Sequence, residues 1–138
     1  MCGIAGFAAG VRFRGHSDTE VMLAAFEAWG VERALSRFSG MFAFALADRD
    51  QRKLYLARDR MGEKPLYYGW QGRTLLFGSE LKAVTCHPSW QGEINRSALP
   101  LLVRHNLIPA PHTIYSGIFK LPPSSFITID LARIESGW

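Results

Sequence analysis

Met41–Ala47 (MFAFALA) is the stretch that decides the fold, because all seven of its residues are apolar. Bulky side chains alternate with small ones along it, which is the period-two pattern of a β-strand. Neither face of this strand is polar, so we predict that it is covered on both sides. A polar turn follows at residues 48–52, and the apolar segment 53–57 then returns as the partner strand of a hairpin.

The segments on either side of this hairpin predict helices and further antiparallel strands. Upstream, Ser17 and Glu20 have the spacing of a capping box, and helical apolar spacing follows as far as Gly30. Further elements are expected as a short strand at 2–8, a helix at 31–38 ending at Gly40, a hairpin at 66–70 and 74–77, helices at 79–84 and at 97–104 capped by Ser97, and a strand at 126–129. The sum is an α+β fold in which helices cover antiparallel sheets on both faces.

Composition and charge restrict the class of protein. The 138 residues suit one domain, and the net charge of +4 comes from scattered basic residues without a run of like charges, so we expect no nucleic-acid partner. No signal peptide and no membrane-length apolar stretch is present, which predicts a cytoplasmic protein. The two cysteines and four histidines lack ligand spacing, so we expect no metal site and no cofactor.

The opening segment, Met1–Phe7 (MCGIAGF), offers a nucleophile. Removal of Met1 would leave Cys2 with a thiol and a free α-amine on one residue. An α-amine with a pKa of about 7.7–8.0 can take the proton of the thiol at neutral pH, and the thiolate can then attack an amide carbonyl. The alternative is that Cys2 is a small apolar residue entering a strand.

Five segments together resemble the N-terminal glutaminase domain of asparagine synthetases, a class II glutamine amidotransferase and N-terminal-nucleophile hydrolase. They are Met1–Phe7, Gly15–Val21, Ala57–Tyr68, Phe77–Ala83 and Ile108–Tyr115. The resemblance covers residues 1–8 and about 11–130 in this order. It predicts a truncated amidotransferase domain at 1–130 and a C-terminal tail at 131–138.

The resemblance also implies a fold and a chemistry. The fold would be a truncated αββα sandwich of antiparallel sheets. Cys2 would attack the side-chain amide of glutamine, and the thioester would be hydrolysed to glutamate and ammonia. Asp18 would hold the α-ammonium group of the substrate, although an acid in the first turn of a helix is also favoured by the helix dipole. The residues between Arg58 and Tyr68 are interpreted as mainly structural.

The sequence departs from this family near residues 9–11, where a family segment is missing. That segment normally carries an arginine for the substrate carboxylate and an Asn-Gly-Glu motif that supplies the oxyanion hole. The only asparagines here are Asn95 and Asn106. We therefore expect glutaminase activity to be impaired or absent, and the alternative is a non-catalytic oligomeric binding or scaffold module.

The sequence also predicts two kinds of protein partner. Loss of internal strands would expose sheet edges, which predicts that two copies associate as a homo-oligomer. No pyrophosphate loop of the Ser-Gly-Gly type follows the amidotransferase-like region. A separate synthetase partner would therefore have to receive any ammonia.

Overall fold

The structure is a computed structural model, and it describes residues 4–5, 15 and 17–132. The chain divides into two compact units, 1–42 and 43–138. In chain order the elements are β1 (Ile4–Ala5), α1 (Asp18–Trp29), α2 (Val31–Arg37), β2 (Ser39–Gly40), β3 (Ala43–Asp48), β4 (Lys53–Arg58), β5 (Tyr67–Gln71), β6 (Thr74–Gly78), α3 (Leu81–Thr85), a 3-10 turn (Arg96–Ala98), α4 (Leu99–His105), β7 (Ile118–Lys120) and β8 (Phe126–Asp130). The mixed α/β class with antiparallel sheets is confirmed, whereas the αββα sandwich stays a prediction.

The first unit contains α1, α2 and the short pair β1–β2. Ser17 caps α1 as predicted, but its Oγ accepts from the backbone N–H of Thr19 at 3.2 Å. The Glu20 carboxylate accepts from the backbone N–H of Gly15 at 2.8 Å. In a capping box it would instead accept from the N–H of the N-cap residue, Ser17. Most of the strand predicted at 2–8 lies outside the described residues.

The end of α2 differs from the prediction. Phe38, not Gly40, follows the last helical residue, and its N–H donates to the carbonyl of Ala34 at 3.1 Å. Gly40 instead belongs to β2 and lies opposite Ile4. Phe38 is almost fully buried, and its ring packs against Phe26 and Phe42 with centroid separations of 5.6 and 5.8 Å.

The second unit contains two three-stranded antiparallel sheets, ordered β3-β4-β8 and β6-β5-β7. The predicted hairpin is present, but β4 and not β3 is the strand covered on both sides. Residues 54–57 of β4 are all buried, whereas Ala45 and Ala47 of β3 are exposed. The prediction of full cover for 41–47 is therefore wrong, because an apolar sequence does not specify whether its strand is central or at an edge.

Two apolar clusters stabilise the second unit. One joins Leu54 and Leu56 of β4 to Leu66 and Leu121, and the other places Val84 of α3 against the sheet containing β6. At Gly69 on β5 a Cβ atom would lie 1.9 Å from the carbonyl oxygen of Gly117. The approach of β5 to the segment preceding β7 therefore requires glycine.

Smaller corrections concern the caps of the later helices. Glu80 and not Ser79 precedes the first residue of α3. Ser97 lies within the 3-10 turn and donates its hydroxyl to Asn95 Oδ1 at 2.6 Å, so it does not cap α4. Pro100 lies in the first turn of α4, where proline is tolerated. Strand β7 was not predicted.

Among the part of the chain that the structure describes, every helix is too short or too polar to cross a bilayer.

Candidate functional site

Asp18 is the candidate substrate-binding residue that the structure describes. It is the first residue of α1 and is half-buried. Ser17 and Glu20 satisfy nearby backbone N–H groups, so the helix start does not depend on the Asp18 side chain for a cap. Within residues 15 and 17–132, no hydrogen bond or ion pair is recorded for the Asp18 carboxylate. This carboxylate can therefore accept hydrogen bonds from a cationic ligand.

Cys2, the candidate nucleophile, lies outside the described residues, so its pairing with Asp18 stays a prediction. The other cysteine, Cys86, directly follows α3 and is an exposed free thiol. Cys86 can serve as an internal control in labelling experiments, because it shows how an exposed thiol outside the candidate site reacts.

Arg58 holds together the loop that follows β4, which belongs to Ala57–Tyr68, one of the five segments that resemble the amidotransferase family. Its Nε donates to the carbonyl of Lys64 at 2.8 Å and its Nη1 to the carbonyl of Leu121 at 2.7 Å. Its Nη2 donates to the carbonyl of Gly62. The guanidinium group thus joins β4 to two separate turns through main-chain acceptors, which a single lysine could not do with the same geometry.

Asp59 has a complementary arrangement. Its side chain is only 1% exposed, and its two carboxylate oxygens accept from the backbone N–H groups of Glu63 at 2.9 Å and Lys64 at 3.0 Å. Its own carbonyl accepts from the N–H of Ser124 at 2.8 Å. A buried carboxylate is tolerated here because charge-assisted hydrogen bonds compensate for its desolvation. This geometry supports the structural interpretation of the segment.

Gly62 completes the turn in a conformation that favours glycine. Its φ is +67°, and a Cβ atom there would lie 2.6 Å from Pro123 Cγ and 3.2 Å from Arg58 Cζ. The turn and the Pro123 segment are therefore in direct contact. The arrangement fixes the main chain and leaves Met61 at the tip with 78% of its surface exposed.

Lys120 is a partly buried lysine that interacts with the charge of Arg58, and the sequence did not predict its structural role. Its Nζ donates to the carbonyl of Ile108, and its backbone N–H donates to the carbonyl of Pro111 at 2.9 Å. Burial, and secondarily the positive charge of Arg58, lowers the pKa of Lys120. A lysine in a three-residue strand carries no sequence signal that predicts a hydrogen bond to a distant main-chain carbonyl.

A cleft of about 630 Å³ lies elsewhere in the second unit. Its walls are formed by Glu93, Ile94, Asn95, Arg96, Ser97 and Ser116. These side chains offer both charges and several hydrogen-bonding groups. Among the described residues, no group of three His, Cys, Asp or Glu side chains is close enough to hold a metal ion.

Comparison with known proteins gives a consistent result. Residues 4–137 match the family model described as a glutamine amidotransferase domain. The chain is 37% identical over 124 residues to the glutamine-hydrolysing asparagine synthetase 3 of Bacillus subtilis, covering 86% of this chain and 20% of that protein. It is 37% identical over 122 residues to asparagine synthetase 1 of the same organism, covering 88% and 19% respectively. The chain thus spans about a fifth of the length of these relatives.

Proposed function

Since the chain belongs to the family of glutamine amidotransferase domains, we propose that it is a glutaminase-type domain of asparagine synthetase ancestry with impaired catalysis. In the proposed reaction the Cys2 thiolate attacks the side-chain carbonyl carbon of glutamine. The C–N bond breaks, ammonia leaves after accepting a proton, and water then cleaves the thioester to give glutamate. The α-amine of Cys2, freed by removal of Met1, takes the thiol proton.

The observation that carries this proposal is the half-buried Asp18 carboxylate at the start of α1. Its helix already has a cap and a second acidic residue in the first turn, so Asp18 is not needed to satisfy backbone donors. The α-ammonium group of glutamine is the substrate group that suits such a carboxylate. The competing interpretation is that Asp18 only interacts favourably with the helix dipole.

Impairment is proposed because the sequence lacks an Asn-Gly-Glu motif. Its two asparagines have local roles in the second unit. Asn95 accepts from the Ser97 hydroxyl, and Asn106 ends α4 with a φ of +55°. Loss of one oxyanion-hole donor costs on the order of 10²–10³ in rate, and the motif would have supplied two.

A non-catalytic oligomeric binding or scaffold module is the second candidate function. The missing Asn-Gly-Glu motif favours it, and the Arg58 and Asp59 hydrogen bonds would maintain the second unit whether or not catalysis is retained. In that case the protein would keep the cytoplasmic location and the N-terminal-nucleophile fold of its ancestor, but it would not keep the glutaminase activity.

Glutamine hydrolysis by protein of verified N-terminal mass tests these proposals. We expect a rate at least about 100-fold below that of the Bacillus subtilis asparagine synthetase 3 assayed in parallel. Any residual rate should disappear in Cys2→Ala. A rate equal to that of the relative would contradict impairment.

Covalent labelling separates the two candidate functions. A glutamine-like electrophile should modify Cys2 when Met1 is absent, while the exposed Cys86 stays unmodified at the same concentration. Met1 retained together with unlabelled Cys2 would favour the binding module. Equal labelling of both cysteines would indicate thiol reactivity without a substrate site.

A further inference from the structure

The surface around α4 is an exposed apolar feature of the second unit that the proposed chemistry does not use. None of the seven residues of α4 is buried. Leu99, Leu102 and Val103 are 40%, 39% and 82% exposed. Their spacing of three and four residues places them on one face of the helix. An exposed apolar stripe of this kind indicates an interaction site rather than a solvated helix.

Basic side chains border this stripe. Arg96 precedes α4 and Arg104 and His105 end it, and all three are exposed. The sequence contains no aspartate or glutamate between residues 94 and 129. We call the three apolar and three basic residues together the α4 surface. Its charge would complement a partner surface that carries carboxylates.

The cleft described above continues the α4 surface, because Arg96 belongs to both. Asn95, Ser97 and Ser116 supply hydrogen-bonding groups in its walls, and Glu93 lies at the same cleft. An apolar stripe with a polar, hydrogen-bonding border is the usual organisation of a protein–protein interface.

These features distinguish between possible occupants. A second copy that docked through the same surface would bring Arg96 and Arg104 against like charges, which opposes association. A lipid surface is disfavoured because α4 is only seven residues long, has no aromatic residue and adjoins a concave polar cleft. A protein surface with an apolar centre and an acidic border matches both the stripe and its basic border.

We propose that the α4 surface is a docking site for a partner protein surface whose apolar centre is bordered by carboxylates. The leucines and Val103 contact the apolar centre, and Arg96 and Arg104 pair with the carboxylates. The relatives that this chain matches are about five times longer, so in them the corresponding region is joined to a much larger polypeptide that can offer such a surface. Docking does not require Cys2 to be catalytic.

A pair of synthetic helical peptides tests the proposal with defined probes. Both carry leucines at helical spacing, bordered by glutamates in one peptide and by lysines in the other. Fluorescence anisotropy with the full chain should show binding of the glutamate peptide, at least about tenfold tighter than the lysine peptide. Added salt should weaken this preference because the charges are exposed.

Matched variants locate the binding site. Val103→Ser should weaken binding of the glutamate peptide at least about fivefold, and Arg104→Glu should shift the preference toward the lysine peptide. Leu23→Ser removes an exposed leucine of α1 and Arg73→Glu reverses an exposed cation of the β5–β6 turn, so both serve as controls that should leave binding unchanged. Circular dichroism checks that each variant is folded.

Several results would overturn the proposal. Equal affinity for both peptides would remove the role of charge, and unchanged binding by Val103→Ser and Arg104→Glu would place the site elsewhere. Binding to phosphatidylserine vesicles without binding to the glutamate peptide would assign the surface to a membrane. A dimer that Val103→Ser dissociates would assign it to a second copy.

Discussion

At the scale of single residues, the charged side chains of Arg58 and Asp59 form hydrogen bonds with the main chain. Arg58 donates to carbonyl groups of its own turn and of Leu121, and the Asp59 carboxylate accepts from N–H groups of its own turn. Asp18 differs from both because its carboxylate makes no such recorded contact within the described residues. Arg58 and Asp59 therefore have a structural role, whereas the substrate-binding role of Asp18 stays a proposal.

Gly62→Ala should destabilise the second unit by about 2–4 kcal/mol. The left-handed backbone costs roughly 1–2 kcal/mol for alanine, and the new Cβ atom would overlap Pro123, which adds the cost of overpacking. Gly72→Ala is the matched control, because Gly72 has a φ of +60° but only the Gln91 side chain at 4.0 Å. Urea unfolding should show a smaller loss for Gly72→Ala, and equal losses would contradict the role of Pro123.

Asp18→Asn should slow modification of Cys2 by a glutamine-like electrophile about tenfold or more, because the amide no longer carries the charge that pairs with an ammonium group. The unfolding midpoint should change little, since Ser17 still caps α1. Glu27→Gln removes one exposed negative charge from the same helix and is the control. An equal effect of both variants would reduce Asp18 to a contributor to net charge.

Lys120 predicts a pH dependence of stability. Burial lowers its native pKa, so between that value and the usual one the native chain has released a proton that the unfolded chain retains. The free energy of unfolding should therefore increase as the pH rises through the native pKa. Urea unfolding at neutral pH and at about pH 10 should shift in favour of the wild type relative to Lys120→Met at the higher pH. A constant difference between the two proteins would contradict this prediction.

At the scale of secondary structure elements, the position of a strand in its sheet determines which strand is covered. β3 has the most apolar sequence but an outer position among the described strands, whereas β4 lies between β3 and β8. The three-stranded sheet β6-β5-β7 has a similar centre in β5, where Gly69 lies against Gly117. This close contact makes the second sheet sensitive to a single methyl group.

Gly69→Ala should disrupt the second sheet, because its Cβ atom would overlap the Gly117 carbonyl and the backbone cannot move aside without breaking the β5–β7 pairing. Gly78→Ala on the neighbouring strand is the control, since its Cβ atom would make only ordinary contacts of 3.6 Å or more. Amide hydrogen exchange should show lost protection at Trp70, whose N–H donates to the Gly117 carbonyl at 3.1 Å, in Gly69→Ala alone. Normal protection there would contradict the predicted overlap.

Local sequence signals predicted the elements that depend on nearby residues. The start of α1 at Ser17, the β3–β4 hairpin and β8 follow from caps, turns and alternation. The order of strands could not be predicted, because pairing of β4 with β8 joins residues distant in sequence. β7 was missed because three residues are too few for a periodic pattern, and Lys120 was missed because its partner is a carbonyl group in a distant loop.

At the scale of the whole molecule, exposed aromatic residues at sheet edges support the predicted homo-oligomer. Phe77 on β6 and Phe119 on β7 lie opposite Tyr68 in the register of the second sheet, and they are 44% and 42% exposed. A folded chain that leaves such side chains in water gains stability by covering them. This site is separate from the α4 surface.

Light scattering should therefore report twice the mass of one chain at high concentration. Phe77→Lys and Phe119→Lys should lower the dimer fraction, since lysine at a sheet edge opposes pairing. Leu23→Lys on α1 introduces the same charge elsewhere and should not. A monomeric mass for the unmodified chain would contradict the homo-oligomer.

The main-chain acceptors of Arg58 have a consequence for how the sequence can vary. A carbonyl oxygen is present whichever amino acid occupies a position, so substitutions at Lys64 or Leu121 do not remove the atoms that receive its hydrogen bonds. A saturation mutagenesis screen should consequently find Lys64 more tolerant of substitution than Arg58, whereas Leu121 is restricted by its buried position in the apolar cluster. The donors of these hydrogen bonds all belong to one guanidinium group, so a substitution at position 58 removes them together, whereas a substitution at position 64 leaves its main-chain acceptor in place.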